Sequence, residues 1–465
     1  MLDSVLCSAG GASLRKGVGF RLMRRKVIIG LISFIAISSF IAQRAHPEVS
    51  EFARQLTRSS HPLDLLFSLG GTSTSGDGQR LEDLNTRTLE ALASCLHSNT
   101  CKENQASVVL LAATYFGNAV NGKVSGENIW AASVRDALHQ LGYSFLYLSD
   151  LDSATTYYRK FPDLVKVVLA QSKDVKGCSK NPQCVKSALN PLGIPIWKIF
   201  SFHFWDGDHH PLGGPWTLSP EDYRTGNQYI GYSLEDTCKQ QTFVPQEERE
   251  DQVYVLSKRL SHFHRRDYPW STDALVQVAE KTNLTLIAGF RNDVEGASEP
   301  NGVINYGMLD KTAFFEHVSH SRALLGILHP RLSPSPYDAL CFGVPFINPV
   351  DSWNRAHPTN RSRWNTQHNG LKYLEEPYVY HVFKGDTGAL VRAVQAAKDN
   401  PIDRYIPPGM TRKALFTRVS YLVEHDWRSD AEELLASRLG PDGGSSLVNN
   451  HSEQATGHGG TIFLL

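Results

Sequence analysis

Apolar runs suited to buried strands alternate with amphipathic stretches over two separate parts of the chain. Residues 108–113 read Val-Val-Leu-Leu-Ala-Ala, a strand apolar on both faces. A Gly/Asn-containing loop follows over 117–126, then a helical pattern over 127–141 and a second strand over 143–148. Strand, loop, helix and strand within some forty residues predict a βαβ unit. A second series opens with the apolar run 252–256 and continues through a helix at 271–281, a strand at 284–288 and a helix at 310–320. It ends in the strand 323–326, a Pro-rich turn, a short helix and an apolar strand closing on Asn348-Pro349. The pattern predicts an α/β protein with two Rossmann-like domains facing a cleft.

The flanks differ from this body. Arg21, Arg24, Arg25 and Lys26 precede an uncharged run over 27–43, just short of the usual spanning length. Basic residues on that side predict a cytoplasmic tail at 1–26 and a single transmembrane helix at 27–43. A cleaved signal peptide is the rival reading, although twenty-odd polar residues ahead of the run speak against it. A span this short suits a thin membrane of the early secretory pathway. Residues 44–105 read as a polar stem with one helical stretch near 81–96. Residues 106–225 then form the first domain, 226–250 a linker, 251–436 the second domain, and 437–465 a disordered Gly/Ser/His-rich tail.

Composition adds two constraints. The 465 residues carry 47 Lys and Arg against 47 Asp and Glu, a balance that speaks against a nucleic-acid surface. Of seven cysteines, Cys95/Cys101 and Cys178/Cys184 are each six apart in loop-like sequence, which predicts local disulfides in an oxidising lumen. Neither pair has Cys-x-x-Cys zinc spacing. Cys7, Cys238 and Cys341 are left without an assigned partner. Sequons at Asn283, Asn360 and Asn450 agree with lumenal exposure.

The chemistry concentrates in the Pro-rich turn. An apolar strand ending at Gly326 leads into Ser333-Pro334-Ser335-Pro336-Tyr337-Asp338-Ala339, where a helix begins with an acid in its first turn. Free N–H groups at such a helix start suit an anion, and the acid can accept hydrogen bonds from sugar hydroxyls. This segment resembles the donor site of glycosyltransferase family 18, the α-1,6-mannosylglycoprotein 6-β-N-acetylglucosaminyltransferases, with Phe346-Ile347-Asn348-Pro349 as the strand after it. Asn305-Tyr306-Gly307-Met308-Leu309, Gln367-His368 and Pro377-Tyr378-Val379-Tyr380-His381-Val382 are similar to further family segments in the same order. So are Pro215-Trp216-Thr217-Leu218-Ser219-Pro220 and Tyr229-Ile230-Gly231-Tyr232. The resemblance runs over about residues 107–425 and implies a GT-B type fold.

It also implies roles. Gly126-Glu127, opening a helix that closes on Leu138-His139-Gln140-Leu141-Gly142, matches the family's pattern, and the resemblance makes Glu127 the catalytic base. A carboxylate at a helix start is favoured by the macrodipole, and an inverting transfer needs one such base at the acceptor hydroxyl. Asp338, with Ser333, Ser335 and Gly326, would contact the donor; the family has Glu where Asp338 stands. Lys258 would face the departing diphosphate, with Arg259, Arg322, Arg331, Arg361 and Arg363 competing for that role. Trp205 and Trp216, beside Gly/Pro turns, would stack on acceptor sugars.

Asp206-Gly207-Asp208 has metal-binding Asp-x-Asp spacing, but the resembled family works without metal. Asp150-Leu151-Asp152 is explained by turn chemistry. The expected activity is metal-independent, inverting transfer of N-acetylglucosamine from UDP-N-acetylglucosamine to a mannose 6-hydroxyl on N-glycans, by a single-pass type II Golgi membrane protein. No cofactor is expected. A different nucleotide sugar or acceptor, and an inactive lectin-like relative, remain alternatives.

Overall fold

The structure is a computed structural model that describes residues 76–439, all within one compact unit of the chain. Helix α1 (Gly76–Ser98) leads into β1 (Val108–Ala112), α2 (Thr114–Val120), α3 (Gly126–Gln140), β2 (Ser144–Tyr147), α4 (Leu151–Tyr158), β3 (Val165–Gln171) and α5 (Ser172–Cys178). Strands β4 (Ile199–Phe202), β5 (Thr217–Ser219) and β6 (Gln228–Tyr229) complete the first half, and α6 (Glu235–Gln240) lies on the crossing that follows. The second half comprises β7 (Gln252–Val255), α7 (Ala274–Thr282), β8 (Thr285–Ala288), β9 (Val303–Asn305), α8 (Lys311–Ser319), β10 (Ala323–Leu325) and α9 (Ser335–Cys341). It continues with β11 (Phe346–Ser352), β12 (Asn365–Thr366), β13 (Val379–Phe383) and α10 (Thr387–Asp399), and the helices α11 (Arg412–Glu424) and α12 (Trp427–Leu439) follow.

The first sheet has the order β2-β1-β3-β4-β5-β6 with every pair parallel. The second runs β12-β11-β10-β7-β8-β9, with β13 also paired to β11; its one antiparallel pair is β11 with β12. All five residues of β1 and all four of β7 are buried, as expected of parallel strands covered by helices on both faces. Caps mark several helix starts. Ser125 Oγ accepts from the Asn128 N–H at α3, Asp310 from Ala313 at α8, and Asp150 from Ser153 at α4. The last of these gives the Asp150-Leu151-Asp152 triplet its structural role.

Three domain limits differ from the sequence reading. Helix α1 lies in the span read as stem, yet it packs on β2: the Asn85 amide donates to the Tyr147 carbonyl and accepts from the Tyr147 N–H, both at 2.8 Å. Asn85 thereby satisfies the outer edge of the first sheet as a further strand would. Strand β6 falls inside the expected linker, so the first sheet runs on to Tyr229.

The chain also returns to the first half at its end. Phe200 and Trp216 both pack edge-on against Trp427 of α12, and Tyr143 Oη donates to Glu424 of α11 at 2.8 Å.

The two local disulfides form, Cys95–Cys101 and Cys178–Cys184, and a third joins Cys238 to Cys341. Among the described residues no helix is long and apolar enough to cross a membrane. The run 27–43, Cys7, Asn450 and residues 440–465 lie outside the described residues.

Candidate functional site

The two halves meet at the start of α3. A Cβ built on Gly126 would lie 3.7 Å from Pro334 Cδ and 3.6 Å from the Phe204 ring. The residue before Glu127 therefore lies a methyl group's width from the Pro-rich turn, although two hundred residues of chain separate them. Glu127 is half-buried in the first turn of α3, and among the described residues no hydrogen bond or ion pair holds its carboxylate. A base must keep its lone pair available to a substrate proton, and a free carboxylate at a helix start meets that need.

Across the seam, Ser333 and Ser335 are buried and their hydroxyls lie 3.0 Å apart, so the turn is held by its own side chains. Asp338 stands in the first turn of α9 with some of its surface still open and no hydrogen bond to its carboxylate. Dense surroundings push its carboxyl up to about 7, against the pull of the Lys311 and Lys258 ammonium groups. Lys258 is thus a neighbour of Asp338 in charge terms. Lys311 joins it from the N-terminus of α8, and its place was not anticipated.

Three of the five competing arginines are otherwise engaged. Arg322 bonds to the carbonyls of Gln246 and Arg249, before β7 begins. Arg331 pairs with Asp351 at 3.0 Å, and Arg361 with Glu375 at 2.7 Å.

Two expected contacts are corrected. Trp216 is 1% exposed; it stacks on His210, meets Trp427 edge-on, and gives its indole N–H to the Trp197 carbonyl at 3.1 Å. It is a core residue and has no face for a sugar. Gly326 is also a packing residue. A Cβ there would fall 2.4 Å from Gln367 Oε1 and 2.6 Å from Pro349 Cδ, and its carbonyl accepts from the Trp270 indole. Trp205, by contrast, is 45% exposed on the loop that continues from Phe204.

The Asp206-Gly207-Asp208 triplet is a turn tied to a neighbouring loop. Asp206 accepts from Thr225 Oγ1 at 2.7 Å, and Asn227 bonds to both the N–H and the carbonyl of Gly207. Among the described residues no three His, Cys, Asp or Glu side chains gather to hold a metal.

Behind the Pro-rich turn lies a buried polar cluster that the sequence did not disclose. Glu221, on the segment after β5, is 2% exposed. Tyr337 Oη donates to its Oε2 at 2.5 Å and Tyr232 Oη to its Oε1 at 3.4 Å, and His368 Nε2 is 3.7 Å from Oε1. The four residues come from the first half, the crossing, α9 and the loop after β12. The signal was present in part, since Pro220 ends one motif and Gln367-His368 forms another, but nothing local says that they meet.

Burial pushes the Glu221 carboxyl up to about 8, overriding the two tyrosine hydroxyls, and holds His368 down to about 3. A carboxyl raised in the folded state keeps a proton that the unfolded chain has lost, so stability falls as pH rises through that interval. The buried histidines act oppositely, and their contribution is complete above their ordinary value of 6.5. Between pH 6.5 and 8 Glu221 contributes most, Asp338 at about 7 adds in the same direction, and Lys198, held down to about 8 by burial, opposes them as pH nears 8. Urea unfolding should therefore show a loss of about 2 kcal/mol across this interval, most of it from Glu221 at somewhat less than 1.36 kcal/mol per pH unit. Glu221→Gln should lose the larger part of this slope and keep the Asp338 share. An equal slope in the variant would refute this role.

Comparison with known proteins places the chain as follows. A model of glycosyltransferase family 18 matches residues 202–435. The α-1,6-mannosylglycoprotein 6-beta-N-acetylglucosaminyltransferases A of Cricetulus griseus and Homo sapiens are 21% and 20% identical over 277 and 276 residues. Each alignment takes in 56% of this chain and 36% of the relative, so the chain spans about a third of the length of the curated relatives it matches. Among solved structures, AviGT4, a glycosyltransferase involved in avilamycin A biosynthesis, overlaps with TM-score 0.36 at 11% identity, over 72% of this chain and 97% of its own. Anabaena HepE in complex with UDP and glucose overlaps with TM-score 0.34 at 8% identity, over 71% and 98%. Overlaps this distant carry no argument about chemistry.

Proposed function

This chain belongs to glycosyltransferase family 18 and is a glycosyltransferase, and we propose that it moves N-acetylglucosamine from UDP-N-acetylglucosamine to the 6-hydroxyl of a mannose on N-glycans. The proposal takes the fold as GT-B type, with the donor held in the second half and the glycan entering from the first. The observation that carries it is the closeness of Gly126 to Pro334, with room for no more than a methyl group between them, which sets the helix bearing Glu127 against the turn bearing Asp338.

In this reading Glu127 takes the proton of the mannose 6-hydroxyl as its oxygen attacks the anomeric carbon. The bond from that carbon to the diphosphate breaks on the opposite side, so the configuration inverts. UDP leaves with the electron pair, and Lys258 and Lys311 offset its charge. Asp338 orients donor hydroxyls, and Trp205 offers an exposed ring to the acceptor. The transfer needs no metal. The setting proposed for it is the Golgi lumen, with residues 27–43 as the anchor; exposed Asn283 and Asn360 suit glycosylation there.

The test uses the full chain with UDP-N-acetylglucosamine and a mannose-terminated N-glycan, with and without EDTA. Acceptor-dependent UDP release that survives EDTA, with a β-1,6 linkage found by NMR of the product, is the expected result. Loss of activity in EDTA would return attention to Asp206 and Asp208. Preference for another nucleotide sugar would overturn the donor assignment.

A further inference from the structure

A second cavity, of about 220 Å³, opens in the seam beside the Glu221 cluster. It is smaller than the roughly 300–1,000 Å³ of sites for drug-sized ligands, and too small for a nucleoside diphosphate sugar. Three segments wall it: the stretch after β5 with Glu221, Asp222 and Arg224, the stretch after β12 with Gly370 and Tyr373, and the approach to α11 with Tyr405. Tyr229 and Tyr337 complete the aromatic lining. We propose that this cavity is a subsite for one neutral pyranose ring of the acceptor glycan, seated beside the ring that reacts. The proposal rests on the reading of the chain as a glycan-modifying transferase.

The walls are held open before any ligand arrives. The Arg224 guanidinium lies 4.0 Å from the Tyr373 ring centre, and Arg224 occupies the left-handed region at φ 54° to reach it. The Arg418 guanidinium lies 4.2 Å from the Tyr229 ring, whose hydroxyl donates to the Gly409 carbonyl at 3.3 Å. Tyr405 packs on Tyr378 with ring centres 4.1 Å apart. Each ring is braced by a neighbouring side chain, so the rings need not be ordered when a ligand binds.

The chemistry suits a sugar. Pyranose rings present C–H faces to aromatic surfaces and hydroxyls at their rims. Here tyrosine rings line the cavity while a carboxyl, a carboxylate and a guanidinium stand among them. Asp222 and Arg224 offset one another, so nothing in the lining calls for a phosphate or a cation. Glu221 reaches the cavity because residue 370 is glycine: a Cβ there would fall 2.0 Å from Glu221 Oε2.

The position also agrees with a second ring of the same glycan. Tyr223, between Glu221 and Arg224, donates its hydroxyl to the Phe204 carbonyl, and Phe204 abuts the start of α3. On the other wall, Tyr337 directly precedes Asp338. The cavity therefore adjoins the cleft on both sides.

The experiment is saturation-transfer NMR on the full chain with a branched mannose-bearing N-glycan, and with uridine as a second probe, alongside steady-state kinetics. Wild type should saturate one ring of the glycan that is not the reacting mannose. Tyr373→Ala and Arg224→Ala should abolish that signal and raise KM for the glycan at least tenfold. KM for UDP-N-acetylglucosamine and turnover of methyl α-mannoside should not change, and Tyr373→Phe should behave as wild type. An unaltered glycan signal and KM in folded Arg224→Ala would overturn the proposal, as would competition of uridine for the same protons. Glycan binding without transfer would sink the proposed activity and leave the subsite standing, whereas transfer with an unaltered KM in both alanine variants would do the reverse.

Discussion

Glu127→Gln is expected to lower kcat by about 10²–10⁴-fold, the contribution of a positioned general base. KM for UDP-N-acetylglucosamine should stay within a factor of two, because the donor side of the seam is untouched. Stability should change little. Glu127 makes no hydrogen bond or ion pair, and the cap of α3 is supplied by Ser125. Loss of one charge in the first turn of a helix costs about 0.3–1 kcal/mol. The amide preserves shape and removes only the proton-accepting charge, so a folded, donor-binding, inactive variant is the informative outcome. Glu127→Asp should fall between, since it keeps the charge and draws it back by one methylene. A variant within tenfold of wild-type kcat would remove Glu127 from the mechanism.

What the sequence made legible was local. Residues 108–112 and 252–255 are apolar without interruption, and only a strand covered on both faces accounts for that. The helices expected at 127–141 and 310–320 form close to those limits, capped by Ser125 and Asp310. The six-residue cysteine spacings left little alternative partner in reach.

What stayed hidden depended on distant partners. Trp205 and Trp216 both sit beside Gly/Pro turns, and α12 decides between them by burying Trp216 against Trp427. The apolar stripe of α11 (Leu415, Val419, Leu422, Val423) announces a buried face but not which sheet it covers. Glu221 reads as an ordinary turn acid after Pro220. It becomes a buried group because Tyr337, 116 residues on, closes over it. Pattern gives the type of an element, whereas the site arises from pairs whose separation no local period encodes.

The Cys238–Cys341 disulfide is the clearest such pair, and replacing both residues with alanine is expected to cost about 4 kcal/mol of unfolding free energy. The bond spans 103 residues, and in the chain-entropy account closing a loop of about 100 residues restrains the unfolded chain by about 4.7 kcal/mol. Each local pair, six residues apart, gives about 2 kcal/mol by the same relation. Both sulfurs are buried, so alanine strands no polar group. The bond ties α6, on the crossing between halves, to the last residue of the helix that carries Asp338.

Other clamps hold the same place. Arg249 donates to the carbonyls of Phe342 and Gly343, and Tyr232, Leu234, Leu340 and Phe342 share one apolar core. The native state of the double variant should therefore keep its geometry, with KM for UDP-N-acetylglucosamine raised less than threefold while the urea midpoint falls sharply. Urea unfolding of this variant beside Cys95→Ala/Cys101→Ala decides the point. If the two lose equal stability, the long loop gives no added restraint; if donor KM rises tenfold or more, the disulfide itself shapes the donor turn.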